Sequence, residues 1–381
     1  MQKVSSYITT SYPPAGQQPP QAFHFFTCAS PPFYVFLINF AGMNKFALLL
    51  IAAVTLLSCS GSGTVSGKFT IDTINKITPV KDQGHGPLCW IYAMLATIES
   101  DRLAVGDSVN LSAPYLGRMM LEHETERRYL TGGSAAVRAD GMAPMTIALM
   151  SEYGVTAHDA YRSDCNFSTL CRKLTAVADN AVNSRIGLDR LRGNTADMLD
   201  TEAGPAPRRV WMYGMEYTPQ QFARSVCDPD DYQSLTSYTH YPFGEDIPLD
   251  LPANRYGCRF TNVPIDSLVK MVDNALRSGF SVCWEGDVSN AGFSFERGVA
   301  DTERPGVRVT QADRQRALER FEVTDDHCMA LIGLAHDSRG RRFYVCKNSW
   351  GTGNPYGGLM FMSLEYFRLN TIAVVMKTGD R

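Results

Sequence analysis

Trp90, Ala93, Met94, Thr97 and Ile98 recur at steps of three and four residues, a period that predicts an amphipathic helix opening at Cys89 and running to about Leu103. Residues 265–277 repeat the pattern on a smaller scale and read as a short helix. Apolar runs without that period read as strands: Phe280 to Trp284, and Cys328 to Leu334, the latter opened by His327. Asp337-Ser-Arg-Gly340 then supplies a turn, and Phe343 to Lys347 returns antiparallel to deliver Asn348. Between these halves, residues 160–262 read as a loop-rich insertion. Its many aromatic side chains, Trp211, Phe222, Tyr238 and Tyr241 among them, are expected to form the insertion's own core rather than a roof over a cleft.

The first 42 residues show neither helix nor strand period and are rich in Pro and aromatic side chains. At Met43 the pattern changes. Met43-Asn-Lys45 is a short basic start, Phe46 to Leu57 is an apolar run of twelve, and Leu56-Leu57-Ser58-Cys59 precedes a Gly/Ser stretch. Such a run is too short for a membrane span and suits the apolar region of a signal peptide. The segment resembles a bacterial lipoprotein signal, which implies translation from Met43, cleavage after Ser58 and acylation of Cys59. The protein is then expected to be exported and held by lipid to a membrane, facing the periplasm or the cell surface. On this reading residues 1–42 are an unstructured or untranslated leader, 43–58 the signal, 59–67 a flexible tether and 68–381 the folded domain.

With 381 residues, 44% of them hydrophobic, the chain can bury a sizeable core, and a net charge of −3 leaves no basic footprint for nucleic acid. There are ten cysteines. Cys165 and Cys171 stand in a polar stretch and are candidates for a bridge in an oxidising compartment, whereas Cys283, Cys328 and Cys346 lie in apolar runs and are expected as buried thiols. Neither Cys-x2-Cys nor His-Glu-x2-His occurs, so no metal and no other cofactor is expected.

Chemistry is concentrated in three short stretches: Gln83-Gly-His-Gly-Pro-Leu-Cys89-Trp90, Asp326-His327, and Asn348-Ser349-Trp350-Gly351. A thiol attacks carbonyl carbon well only when ionised, and a cysteine at the first turn of a helix, beside a histidine that an asparagine orients, meets that condition. The amide of Gln83 and the backbone N–H of Cys89 are placed to donate to the oxyanion that such an attack creates. His85 and His336 have no matching asparagine at strand-return distance and read as structural or solvated.

Gln83, Cys89-Trp90, His327 and Asn348-Ser349-Trp350 stand in the order that resembles the papain superfamily of cysteine peptidases. The resemblance implies an α+β, two-lobed fold: a helical lobe carrying Cys89, an antiparallel β lobe carrying His327 and Asn348, and the insertion between them. It further implies that Leu111-Ser112 opens the next helix, that Asp140 and Gly141 belong to a substrate-binding loop, and that Asp326 and Trp350 flank the histidine, the indole shielding its bond to Asn348. Met142 stands where the family has a second glycine and Gly86 where papain has a disulfide cysteine.

Ser278 to Val288 and Glu365-Tyr366-Phe367 resemble the bleomycin hydrolase and aminopeptidase C branch. Too little chain separates Cys59 from Gln83 for a long inhibitory propeptide, and the arm that the branch carries after its last strand is missing here. The expected activity is therefore peptide-bond hydrolysis through a thiol acyl-enzyme, like aminopeptidase C but with an open cleft that admits internal bonds, on peptide or protein substrates. Two other readings of the same residues remain open: a catalytically silent surface binding protein, and a Cys-His acyltransferase.

Overall fold

A computed structural model describes residues 65–66, 68–212 and 214–378, so the expected leader, signal and acylated Cys59 lie outside the described residues. Two short strands, β1 (Val65–Ser66) and β2 (Phe69–Ile74), lead to helix α1 (Cys89–Ala104). Helices α2 (Ala113–Leu130) and α3 (Ala143–Tyr153) pack on α1 and on each other, and α4 (Phe167–Ser184) and α5 (Leu188–Ala203) pack on α2 and on each other. As the resemblance implies, Ser112 caps α2, its hydroxyl accepting from Tyr115 N at 3.2 Å. A hairpin of β3 (Val210–Met212) and β4 (Met215–Tyr217) and helix α6 (Pro219–Val226) complete the helical half.

The remaining chain builds one mixed sheet from β5 (Tyr232–Thr236), β6 (Asp246–Pro248), β7 (Arg259–Asn262), β8 (Val282–Gly286), β9 (Phe293–Ser294), β10 (Val299–Ala300), β11 (His327–Asp337), β12 (Arg342–Lys347), β13 (Leu359–Ser363) and β14 (Thr371–Lys377). Helices α7 (Ile265–Arg277), α8 (Gln311–Glu319) and α9 (Leu364–Asn370) interrupt it in sequence. The strand order is β6-β7-β5-β14-β8-β11-β12-β13-β10-β9, with β2 joining β11. β11 is the pivot. Its first half pairs with β8, His327 opposite Gly286, and its second half with β2, Asp337 opposite Phe69, while β12 runs along its other edge. Gly333 lies where β2 crosses β11, and a Cβ there would stand 2.3 Å from the Thr73 carbonyl oxygen. Any other residue would push the two strands apart.

The structure corrects four expectations. Helix α1 ends within a residue of the expected place but is not amphipathic, because every residue from Trp90 to Asp101 is buried. It is a central helix, and its polar side chains are satisfied inside: Ser100 bonds Lys76 O and Ser281, and Asp101 accepts from Ser281 N and the Tyr232 hydroxyl. The insertion is not loop-rich, since α4 and α5 lie within it and α4 buries Phe167, Leu170, Leu174, Ala178 and Ala181 at helical spacing. The strand expected at Phe280 to Trp284 is shifted two residues onward, to Val282–Gly286. Cys165 and Cys171 are free thiols; Cys171 sits inside α4, and both pack against the helical core instead of facing each other as a bridge.

One buried charge ties the halves together. The Glu99 carboxylate, in α1, takes Lys81 Nζ at 2.5 Å, Leu111 N at 2.6 Å and the Thr78 hydroxyl, and Lys347 Nζ stands 3.8 Å from its other oxygen. Lys347 also donates to Thr78 Oγ1 at 2.8 Å. Removing Glu99 leaves two lysines in or near the interior without their counter-ion, so Glu99→Ala should cost about 3–5 kcal/mol of unfolding free energy in a denaturant titration. Burial pulls Lys347 down to about 8, against the attraction of Glu99. Unfolded lysine keeps its proton to about pH 10.4, so between the two values the unfolded chain binds the extra proton and this group's contribution to stability grows as pH rises. Lys347→Met should remove that part of the slope, read as the difference between wild-type and variant urea midpoints at either end of the window.

Candidate active site

Cys89 is the first residue of α1, and its N-cap, Leu88, offers no side-chain acceptor to the N–H groups of the first turn. Those N–H groups and the helix dipole therefore favour negative charge at the thiol. The strand β11 brings His327 and Cys328 against it. His327 is buried, its Nε2 is 2.7 Å from Asn348 Oδ1, and that contact leaves Nδ1 as the nitrogen for the thiol. The Trp350 ring lies 4.6 Å from the imidazole, tilted by 40°, and is itself braced edge-on by Phe293 and Phe295. Water is kept from the His327–Asn348 bond by that stack.

Gln83 is locked to the same segment. Its N–H donates to Ser349 O at 2.8 Å, its Oε1 accepts from Ser349 Oγ at 2.5 Å, and its Nε2 donates to Gly86 O at 2.8 Å. An amide nitrogen has two hydrogens, so one remains for a ligand. Asp82 bridges to Trp350 in β fashion, which sets the loop before Cys89 against the loop after Asn348.

The Cys89 thiol is held well below the usual thiol range, first by a hydrogen bond from the Cys328 thiol, then, against the cost of burial, by the hydrogen bond and charge of His327. Cys328 pays the converse: burial and the neighbouring Cys89 push it well above. Cys328 is buried, as expected, and belongs to the site as well; its place directly after His327 is the sequence signal for that. Burial of Cys283 and Cys346 is as expected.

A cavity of about 630 Å³ opens at Cys89. Cys89, His327, Cys328, Asp140, Gly141 and Asp326 all line it, which places three of the four expected substrate-binding residues on its wall. Trp350, Gln83 and Asn348 are not on its wall. Gly141 is required by close approach, since a Cβ would meet Trp90 Cζ2 at 2.9 Å. Met142 is fully buried among Tyr238, Phe260 and Ile372, a core residue at the entrance of α3. Asp326 is engaged in structure: its carboxylate accepts from Thr324 Oγ1 at 2.8 Å and from Ser289 N at 3.2 Å. The far wall comes from residues 238–253, including Tyr238, Tyr241, Leu249 and Asp250. That part of the insertion does wall the cleft, contrary to the expectation, because β5 joins the main sheet beside β14 and carries the following loop over to the site. Glu285, on β8, and Asp325 also line the cavity, and neither was singled out in the sequence. Among the described residues no group of three or more His, Cys, Asp or Glu side chains is placed to hold a metal ion.

Residues 212–379 match the model of the Peptidase C1-like family. Aminopeptidase W of Lactobacillus delbrueckii subsp. lactis is 27% identical over 173 residues, which cover 42% of this chain and 39% of that protein's length. The crystal structure of PepW from Lactobacillus rhamnosis HN001 superposes with a TM-score of 0.62 at 18% identity, covering 89% of this chain and 93% of that one. The chain is thus similar over its C-terminal half to the Peptidase C1-like family and over part of its length to an aminopeptidase, and as a whole it shares the fold of PepW. Its α+β architecture is the papain-like fold, with the Cys on the helical half and the His and Asn on the sheet.

The environment of Cys89 generates a pH prediction. Because the thiolate is held low, alkylation of Cys89 by iodoacetamide should stay fast at pH values where an ordinary thiol is protonated. Cys328→Ala removes the first of the groups that lower it, so the inflection in the alkylation-rate profile should move to higher pH, with the fold unchanged by circular dichroism.

Proposed function

We propose that this chain is a cysteine peptidase that hydrolyses peptide bonds through a thiol acyl-enzyme. The observation that carries the reading is a low-pKa thiol at a helix start facing, in one cavity, a histidine whose far nitrogen is held at 2.7 Å by Asn348. Cys89 Sγ attacks the scissile carbonyl carbon, and the proton resides on His327, oriented by Asn348. The carbonyl oxygen takes up negative charge between the Cys89 N–H and the free Gln83 Nε2 hydrogen. Collapse of that intermediate breaks the C–N bond, His327 gives its proton to the departing amine, and water, deprotonated by His327, then releases the acyl group and restores the thiolate. A size of about 630 Å³ accommodates several residues of an extended peptide on the cavity side.

Cys89→Ala should abolish hydrolysis of a fluorogenic peptide library, and His327→Ala should come close to it, with the double variant little worse than either. Gln83→Ala should lower turnover roughly ten- to a thousandfold with a smaller change in KM. Residual hydrolysis in Cys89→Ala would sink the assignment of the nucleophile. We also infer, from the sequence of residues 43–67, that the mature protein is a lipid-anchored, exported one; the mass of the membrane-extracted protein should equal that of a chain beginning at diacylated Cys59, and an unprocessed N-terminus would overturn this.

A further inference from the structure

An acidic residue in the middle of a buried strand is out of place unless something compensates it. β8 is wholly buried between β14 and β11, and Glu285 lies on it at 1% exposure. Side chains alternate along a strand, so Glu285 shares the face of Cys283, which packs with α1, while Val282 and Trp284 face the other core. Its Oε2 accepts from Ala143 N, at the start of α3, at 3.3 Å. Its Oε1 is buried without a hydrogen-bond partner, and Glu285 is a residue of the cavity wall. The Asp325 carboxyl meets Glu285 there: burial and then the charge of Asp325 raise the pKa of Glu285 far above the carboxylate range, while burial and then the charge of Cys89 raise that of Asp325 to about 7, against the lowering effect of its contact with Glu285.

No lysine or arginine is among the leading influences on this pair. The charges that act on it most strongly are those of Cys89, Asp326 and Asp140, all negative. Arg138, also on the cavity wall, is spent on Asp140, which it holds through two bonds, Nε at 2.8 Å and Nη2 at 2.5 Å. Arg255 is committed to the Arg138 and Asp140 carbonyls and to Glu124. His240 is turned to Gln315, with Nδ1 2.9 Å from its Nε2, and Asp250 takes the Tyr241 hydroxyl at 3.0 Å. Among the described residues of the cavity wall, Glu285 Oε1 is the buried side-chain atom left without a partner.

We propose that Glu285 and Asp325 form a subsite for a cationic group of the substrate, an ammonium or guanidinium on the acyl side of the scissile bond, seated next to Cys89. A carboxyl pair that shares one proton carries a single negative charge, which one cation neutralises, and the unpartnered Oε1 supplies the acceptor. Asp140 and Gly141, of the expected substrate-binding loop, line this cavity with Glu285 and Asp325, whereas Gln83 and Trp350 are not on its wall, so on this assignment the cation enters with the residues that precede the attacked carbonyl. Two sources have this chemistry: the free N-terminal amine of a short peptide, and a lysine or arginine side chain within a longer one.

The inference rests on Cys89 as nucleophile but not on turnover, and is tested by the rate at which chloromethyl ketones alkylate Cys89, followed by intact mass. Three reagents share one dipeptide frame: acetyl-norleucyl-alanyl, acetyl-lysyl-alanyl, and norleucyl-alanyl with a free amine. One of the two cationic reagents should react roughly ten- to a hundredfold faster than the neutral one; which of them does so identifies the source. Glu285→Gln and, at the more accessible carboxyl, Asp325→Asn should each collapse that ratio, whereas a merely damaged protein slows all three reagents together and keeps it. Equal or faster reaction of the neutral reagent in the wild type, or an excess that survives both substitutions, overturns the subsite while leaving the nucleophile in place. Failure of all three to modify Cys89 overturns the nucleophile and the subsite alike.

Discussion

Glu99 is a carboxylate with no exposure, and taking such a charge out of water costs several kcal/mol unless opposite charges and hydrogen bonds replace the hydration. Here the replacements are drawn from three segments that each carry part of the site. Lys81 is two residues before Gln83, Lys347 is one residue before Asn348, and Glu99 itself is on the helix that Cys89 opens. Satisfying one buried charge thus sets the positions of Gln83, Asn348 and Cys89 together. A hydrophobic contact would hold these segments near one another; directional bonds to one carboxylate hold them in register.

That register has an electrostatic purpose. Burial alone raises a thiol, and the interior around Cys89 is apolar, so the thiolate exists only because donors outweigh desolvation. Cys328 and His327 are consecutive on β11, and β11 is fixed on three sides by β8, β2 and β12. A loop would hold these two donors less tightly against the thiol, and the balance against burial would tip back. His327 sits on a strand, then, for the same reason that Glu99 is paired: both are small distances on which a large desolvation cost depends.

Legibility in the sequence followed the reach of each interaction. Gln83, Cys89, His327 and Asn348 belong to short motifs with fixed local settings, and the structure brings all four to one place. α7 and the hairpin of β11 and β12 were readable because their period and turn residues are local. The amphipathic reading of α1 failed since its polar residues are buried by partners hundreds of positions away, Ser281 for Ser100 and Lys347 for Glu99. α4 was overlooked although Phe167, Leu170, Leu174, Ala178 and Ala181 are spaced as a helix, because aromatic content was weighed there instead of period. Glu285 could not be recognised at all: only the strand order shows that it is central, and only the fold of residues 238–253 encloses it.

A residue that breaks a local rule without a compensating contact is where function is expected to be stored. Glu285 and Asp325 weaken the fold by placing negative charge beside the Cys89 thiolate, since each is raised in part by that sulfur's charge. Repulsion between two sites is reciprocal, so the pair must also oppose ionisation of Cys89. A cation bound between them cancels the opposition from both ends: it lowers the cost of the buried carboxyl pair and, by the same amount of free energy, favours the thiolate. Under the proposed assignment the cleft is therefore least reactive when empty, and the substrate group that selects the site also completes the charge balance on which the nucleophile depends.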